Sequence, residues 1–485
     1  MHWLPAIALC LFGCAHYPVN PRLERFDPSG GYRFRPGRDP QACRDLVILT
    51  FSGGGTRAAA FAYGTLKALD AESLPGADGR SLLDEVDLIS SVSGGSFTAA
   101  WYGLYGKSIF DGFERSVLRR NIQGELAGKV ANPLNWCRLA SGGFDRIDLA
   151  AEHFDRKLFA GKTFADLPRD PGVPFIMINA SDISAGARFE FTQDQFDLLY
   201  SDLDKFPIGR AVAASAAFPV LLTPVRLVNH SAGPDFVAPI WIETALQDAD
   251  TNPWRFLRAS VARSYLDSDP GCGKHRRYLH LLDGGISDNI GLRGPMVSLT
   301  STDAAVGRDG SSSLLNLINS ENIDRVAVIV VDAKNKPGHD WDRQESSPSV
   351  GAVLSTVCTT PMDNYSTDTV QLVDRDFEAR LQDQDEREAV RDLLREHGIV
   401  PDELVPVMKT SAFHLIHLHF GKVRDELVRR ELENLPTSLR LRDGQIDLLI
   451  QTAKTLLKES QSFQNLLTEL RTQSLSKNRS GSEFP

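Results

Sequence analysis

Three short glycine-bearing segments hold the residues whose types and spacing suit a reaction. In Ser91-Val92-Ser93-Gly94-Gly95 a hydroxyl follows an apolar run and precedes two glycines. Small residues on both sides permit a sharp strand-to-helix turn, which presents Ser93 as a nucleophile. The usual pattern for such an elbow is G-x-S-x-G, and Ser91 stands here at the first glycine position. In Ser52-Gly53-Gly54-Gly55-Thr56-Arg57 the glycines leave backbone N–H groups bare, and a helix behind them would aim its positive end at the same spot. Such a turn holds an anion, either the oxyanion of acyl transfer or a phosphate. The phosphate signatures are missing: no GK[ST] follows four spacer residues, and the GxGxxG spacing fails. Arg57 either supports this loop, adds positive charge to it, or makes a salt bridge on the first helical turn. In Asp283-Gly284-Gly285 a carboxylate precedes two glycines, a place for a general base, although the same tripeptide is a common turn.

These segments need elements that bring them together. Asp45 to Phe51 is an apolar, β-prone run that ends at the Ser52 turn, and Ala58 to Leu69 follows with strong helix formers. Val86 to Ser90 is a second strand, leading to the Ser93 turn, with a helix beginning near Phe97. Further strands are expected at Phe175 to Asn179, Leu279 to Leu282, Arg325 to Val331 and Phe413 to Phe420. Strands alternating with helices predict an α/β fold with a mostly parallel central sheet flanked by helices. All three segments then lie beyond strand carboxyl ends, where such sheets bind ligands. Thr302 to Ser313 and residues 336–350 read as polar surface loops. Ile446 to Leu470 has apolar residues at helical spacing and should pack on the core.

Taken in order, the three segments resemble the patatin-like phospholipase family, whose pattern is a G-G-G-x-R loop, a G-x-S-x-G elbow and D-G-[GA]. Gly53-Gly54-Gly55-Thr56-Arg57 matches the first, Ser91 to Gly95 the second except at Ser91, and Asp283-Gly284-Gly285 the third. Asn179-Ala180-Ser181-Asp182 and Ala213-Ala214-Ser215-Ala216-Ala217-Phe218-Pro219 are also similar to family segments. The likeness covers roughly residues 45 to 300, and Pro436-Thr437-Ser438 with the helix after it looks like the C-terminal end of a bacterial branch. The resemblance implies a three-layer α/β/α fold and a Ser93–Asp283 dyad without histidine. Gly53, Gly54 and Gly55 would form the oxyanion hole, with Arg57, Ser91, Gly94, Gly95, Gly284 and Gly285 in support. It implies phospholipids, lysophospholipids or other acyl esters as substrates, and neither cofactor nor metal.

Two other readings stay open. One is a Ser-Asp-His esterase, for which His339, His397, His414, His417 and His419 lie downstream of Asp283. His417 and His419 share a strand face, so a metal pair there is conceivable, but a solvated strand face explains them as well. The other is a non-catalytic lipoprotein that binds lipid or a partner on the same fold. Trp101, Tyr102, Phe110, Phe113, Trp241, Trp254 and Phe256 are candidates for an acyl channel or a membrane contact, or simply for the core.

Composition narrows the classes. The chain has 485 residues, 42% hydrophobic and 24% charged, with a net charge of −10. That is the profile of a globular protein, and it gives nucleic acid no electrostatic footing. The apolar stretch from Trp3 to Phe12 is too short to span a bilayer and has the length of a signal-peptide core. Leu11-Phe12-Gly13-Cys14 resembles a bacterial lipobox, which implies lipidation at Cys14 and a lipid-anchored place in the cell envelope. The expected organisation is a signal peptide at 1–14 and a tether at 15–44. An α/β hydrolase domain follows at 45–422, then a C-terminal helical segment at 423–473 and a disordered tail at 474–485. Cys43, Cys137, Cys272 and Cys358 lack any CxxC spacing, so they read as disulfide partners or buried thiols rather than zinc ligands.

Overall fold

The computed structural model describes residue 17, residues 19–34 and 45–74, and residues 79–267 and 276–300 except 171, 220, 232 and 234. It also describes residues 323–336, 340–397 except 344 and 346, and 412–480. The leader, Cys14, Cys43, Cys272, His339 and the loop at 302–313 lie outside these described residues. Cys137 and Cys358 are free thiols.

In chain order the elements are β1 (Asp45–Phe51), α1 (Thr56–Asp70), β2 (Val86–Val92), α2 (Gly94–Tyr105), α3 (Arg146–Lys157), β3 (Phe175–Asp182) and β4 (Ala187–Glu190). Next come α4 (Ile208–Ser215), β5 (Val225–Val228), α5 (Pro253–Leu266), β6 (Tyr278–Asp283), α6 (Gly285–Asp288) and α7 (Arg293–Thr300). The chain ends with β7 (Arg325–Asp332), α8 (Val350–Glu396), β8 (Ala412–His419), α9 (Asp443–Glu459) and α10 (Gln461–Ser480). Further helices, among them Ile122–Ala131 and Glu426–Glu433, and short helical turns connect several of these elements.

The strands form one eight-stranded sheet in the order β5-β6-β3-β2-β1-β7-β8, with β4 paired to β3. The pairs β1–β2, β1–β7, β2–β3 and β7–β8 are parallel. The central strands β1 and β7 are buried along almost their whole length because helices cover both faces. Two covered faces call for near-continuous apolar runs, and both strands have them. α1 packs against α9 and α2, and α3 packs against α4. The contact of α1 with α9 is close enough that a Cβ at Gly64 would come within 2.7 Å of the Ile450 carbonyl oxygen.

The sheet departs from a purely parallel one at one end. β4 and β6 run antiparallel to β3, and β5 runs antiparallel to β6. β6 overlaps β3 over only three pairs, the last being Ala180 with Asp283. It enters the sheet from beyond the carboxyl ends of the parallel strands and stops almost at once. An antiparallel strand therefore delivers Asp283 to the same edge as the two glycine turns.

Two expectations about the chain ends are corrected. Of the expected tether at 15–44, residue 17 and residues 19–34 are not free, and residues 15, 16, 18 and 35–44 lie outside the described residues. Asn20 bonds Ser201 and both polar backbone atoms of Val228. The Tyr32 ring stacks on Phe175 at 4.6 Å, and its hydroxyl accepts the Ile176 N–H. Arg33 pairs with Asp194 and Asp197. The segment lacks periodicity because it is held by single anchors rather than by a helix or strand of its own. At the other end α10 continues to Ser480, past the expected start of disorder at 474. Extending a helix costs far less than nucleating one, so a polar sequence can follow a docked turn.

Candidate active site

The two glycine turns are interlocked, which explains why their glycines cannot carry side chains. A Cβ at Gly94 would lie 2.1 Å from the Gly55 oxygen, and one at Gly95 would lie 2.6 Å from the Phe51 Cβ. Gly95 N donates to Ser52 O at 3.2 Å. Gly54 (φ +137°) and Gly55 (φ +62°) hold backbone conformations that a side chain disfavours.

Ser93 stands on the elbow between β2 and α2 with φ 49° and ψ −116°. A non-glycine residue in that region is strained, and such strain clusters at functional sites. Its N–H donates to Ser215 Oγ at 2.8 Å, and Ser215 Oγ in turn donates to Asn179 O at 2.6 Å. The departure at Ser91 is accommodated: its hydroxyl is buried, donates to Met177 O at 3.2 Å and accepts from Ser96 Oγ at 3.1 Å. The extra oxygen is thus satisfied by the neighbouring strand β3 and by the first turn of α2.

Ser93 Oγ donates to Asp283 Oδ2 at 2.8 Å, although 190 residues separate the two. The other carboxylate oxygen, Oδ1, accepts the Gly285 N–H at 2.8 Å. Burial raises the Asp283 pKa to about 6, against the lowering effect of those two hydrogen bonds. Close packing fixes the strand tip: a Cβ at Gly284 would lie 2.4 Å from Asn179 O, and Gly284 N donates to Ser215 O at 3.1 Å.

Gly53 and Gly55 pack against the elbow at Ser93 and Gly94, with Gly54 between them, but the three are not equivalent. Gly53 N already donates to Asn289 O at 2.9 Å, so Gly53 is corrected from a donor of an oxyanion hole to a spacer. A Cβ there would meet Asn289 Oδ1 at 2.5 Å and Ser93 Cβ at 3.3 Å. Among the described residues, no backbone carbonyl accepts from Gly54 N or Gly55 N. Arg57 is buried beneath this loop. It donates to Ala333 O at 2.8 Å, Leu435 O at 2.6 Å and Thr437 Oγ1 at 3.2 Å. Burial lowers its pKa to about 10, offset by Asp332 and Asp363. Of the three roles open to Arg57, support of the loop is the one its contacts describe.

The residues around the turns that sequence reasoning left without a role are Ser215, Asn179 and Asn289. The first two lie in segments already singled out as family-like, whereas nothing local marks Asn289. The histidines go elsewhere. His414 meets Glu469 at 3.0 Å, and His417 meets Asp332 at 3.4 Å. The His419 ring lies 4.6 Å from that of His417 at a tilt of 37°, and His397 caps the end of α8. Among the described residues, no histidine touches Ser93 or Asp283, and no group of three or more His, Cys, Asp or Glu could hold a metal. No described helix is long and apolar enough to cross a membrane.

A family model for patatin-like phospholipase matches residues 49–296, just over half the chain, and the chain belongs to that family of lipid acyl hydrolases. A search of curated proteins finds no match. Among solved structures, human GIVD cytosolic phospholipase A2 is similar at 14% identity and a TM-score of 0.41, over 88% of this chain and 60% of that one. The same enzyme in complex with methyl gamma-linolenyl fluorophosphonate is similar at 13% identity and a TM-score of 0.38, over 90% of this chain and 60% of that one. The chain therefore spans about three fifths of the length of these structures.

Proposed function

We propose that Ser93 and Asp283 are a catalytic dyad that hydrolyses acyl esters of phospholipids or lysophospholipids. The observation that carries this reading is the 2.8 Å hydrogen bond from Ser93 Oγ, on a strained elbow, to a buried carboxylate. Asp283 takes the hydroxyl proton as Oγ attacks the ester carbonyl. The carbonyl oxygen gains charge and is met by the N–H groups of Gly54 and Gly55. Collapse of the tetrahedral intermediate breaks the C–O bond, and the leaving alcohol takes the proton from Asp283. A water molecule, deprotonated by the same carboxylate, then attacks the acyl-serine. Fatty acid leaves and Oγ recovers its proton.

A carboxylate whose pKa lies near 6 suits this work, being mostly ionised at neutral pH yet more basic than an exposed aspartate. The membrane side of the proposal is a lipid on Cys14 that keeps the enzyme at the cell envelope.

The test is labelling and hydrolysis together. The wild-type chain should react with a fluorophosphonate and release fatty acid from phospholipid. Ser93→Ala should lose both by at least about 10³-fold while remaining folded. Ser90→Ala, Ser91→Ala and Ser96→Ala are the controls, and loss in one of these with retention in Ser93→Ala would relocate the nucleophile. A chain that neither labels nor hydrolyses would be a binding protein on the same fold.

A further inference from the structure

The geometry points to a lipid-docking face beside the site, formed by α5 and the first half of α8 and centred on Arg293. This inference rests on the proposed lipid substrate and names how that substrate is reached. The connection between β5 and β6 carries α5. Because Val225 pairs with Leu281 and Val228 with Tyr278, that connection leaves the sheet beyond the carboxyl ends of the parallel strands, on the side of Ser93. On the same side α8 runs past the catalytic turn: a Cβ at Gly285 would lie 2.3 Å from the Met362 methyl.

The two helices meet at a cation. The Arg293 guanidinium lies 5.5 Å from the Trp254 ring on α5 and 5.3 Å from the Tyr365 ring on α8, one turn beyond Met362. Its Nε donates to Thr369 Oγ1; the Asp288 carboxylate accepts the Arg293 backbone N–H at 2.7 Å and feels its charge, but among the described residues no carboxylate forms a salt bridge with the guanidinium. Exposed apolar residues lie on the two helices that flank it. Trp254 is 60% exposed and Leu257, one turn on, 52%. Along α8, Val350, Leu354, Val357 and Tyr365 recur at spacings that place them in one stripe, with Val350 76% and Val357 62% exposed. Residues 350–362 contain no charged side chain, whereas the rest of α8 is rich in them. Exposed apolar stripes of this kind on a soluble fold mark contact surfaces.

The occupant that fits is the interface of a phospholipid bilayer. Arginine matches the geometry of a phosphate oxygen pair. Tryptophan and tyrosine rings favour the headgroup level, and the aliphatic stripe suits the acyl boundary beneath it. A second copy of the chain would meet the same apolar residues but would leave the cation against another cation. Docking here would hold the bilayer against the mouth of the site, within reach of Ser93.

Flotation with phosphatidylcholine vesicles tests this, since a neutral surface removes long-range attraction or repulsion. The full chain carries Cys14→Ser, to exclude the lipid anchor, and Ser93→Ala, so that binding is read without turnover. It should float with vesicles. Trp254→Ala with Tyr365→Ala should weaken partitioning by about tenfold or more, and Arg293→Gln should weaken it as well. Leu257→Asp with Val357→Asp, on two exposed positions, repeats the test should the aromatic pair misfold. In a background with Ser93 intact, turnover of a water-soluble short-chain ester shows that each variant is folded.

Equal flotation of folded variants and parent overturns the docking face, as does a parent that never floats. A dimer in solution that these substitutions dissociate overturns it too, by assigning the face to a second copy. A chain that floats through these residues yet hydrolyses nothing sinks the proposed function alone. One that hydrolyses vesicle lipid equally well with and without them sinks the docking face alone.

Discussion

In the proposed dyad, Asp283 sets activity against stability. Its pKa is raised to about 6 from the ordinary 3.8, chiefly by burial. The native state therefore favours the protonated carboxyl. The stability this brings is complete below 3.8 and is lost as pH rises through about 6. Turnover runs the other way, since only the ionised group can accept the Ser93 proton. Initial rates on a soluble ester should climb through about pH 6 and level off above it, and a profile flat between pH 5 and 7 would place the base elsewhere. Asp283→Asn is nearly isosteric and neutral at every pH. It should lose about 10²–10⁴-fold in kcat with KM little changed. Its melting temperature at pH 8 should equal or exceed that of the wild type, with the difference shrinking at pH 5. A variant that melts lower at pH 8 and loses activity in proportion would mark Asp283 as a turn residue only.

Among elements, the loop of Gly54 and Gly55, the proposed oxyanion hole, depends on a segment far along the chain. Thr56 N donates to Ser438 O at 2.9 Å, and Gly55 bridges Ser438. Arg57 ties the same strap to β7 through Leu435, Thr437 and Ala333. Pro436-Thr437-Ser438 lies well beyond the matched family region of residues 49–296, yet it backs the loop. Arg57→Met keeps the length and removes three hydrogen bonds; Leu435 O keeps the bond from Asn335 Nδ2, but Ala333 O loses its donor. The expected cost is about 2–4 kcal/mol of stability. Because the loop donors would lose their backing, kcat should also fall while KM stays nearly constant. Chemical unfolding and steady-state kinetics on one preparation separate the two effects. A large loss of stability at unchanged kcat would confine Arg57 to folding.

For the whole molecule, the N-terminal segment is part of the body. Tyr32 is buried to 3% exposure between Phe175 and Phe164. Tyr32→Ala should therefore cost about 3–5 kcal/mol, as large-to-small core changes do, and urea unfolding would measure it. A loss under about 1 kcal/mol would restore residues 17–34 to the status of a tether. Attachment to the membrane is a separate matter. Cys14→Ser should move the enzyme from a carbonate-resistant membrane fraction to the soluble one. Continued resistance to the wash would put the anchor elsewhere, whereas washable, peripheral association would agree with the docking face.

The sequence by itself determined the strands that bear the site and the residues that sit at their tips. β1, β2, β3, β6, β7 and β8 were legible because buried strands leave continuous apolar runs, and because the glycine turns are local features of composition. β4 and β5 were not, since four residues are too few to show a period. The single 47-residue helix α8 was hidden by its Pro361 and by its change from uncharged to charged composition. Other features were settled only by tertiary structure. That Gly53 has no N–H to offer depends on Asn289, and that Ser91 is tolerated depends on Met177 and Ser96. That Arg57 is a support depends on residues 435–437. The approach of Asp283 to Ser93 across 190 residues depends on an antiparallel strand that pairs for three residues and stops. Apart from the Ser91–Ser96 bond, each of these is a contact between segments distant in the chain, and spacing along a sequence carries no record of which distant atoms will fill a donor or block a Cβ.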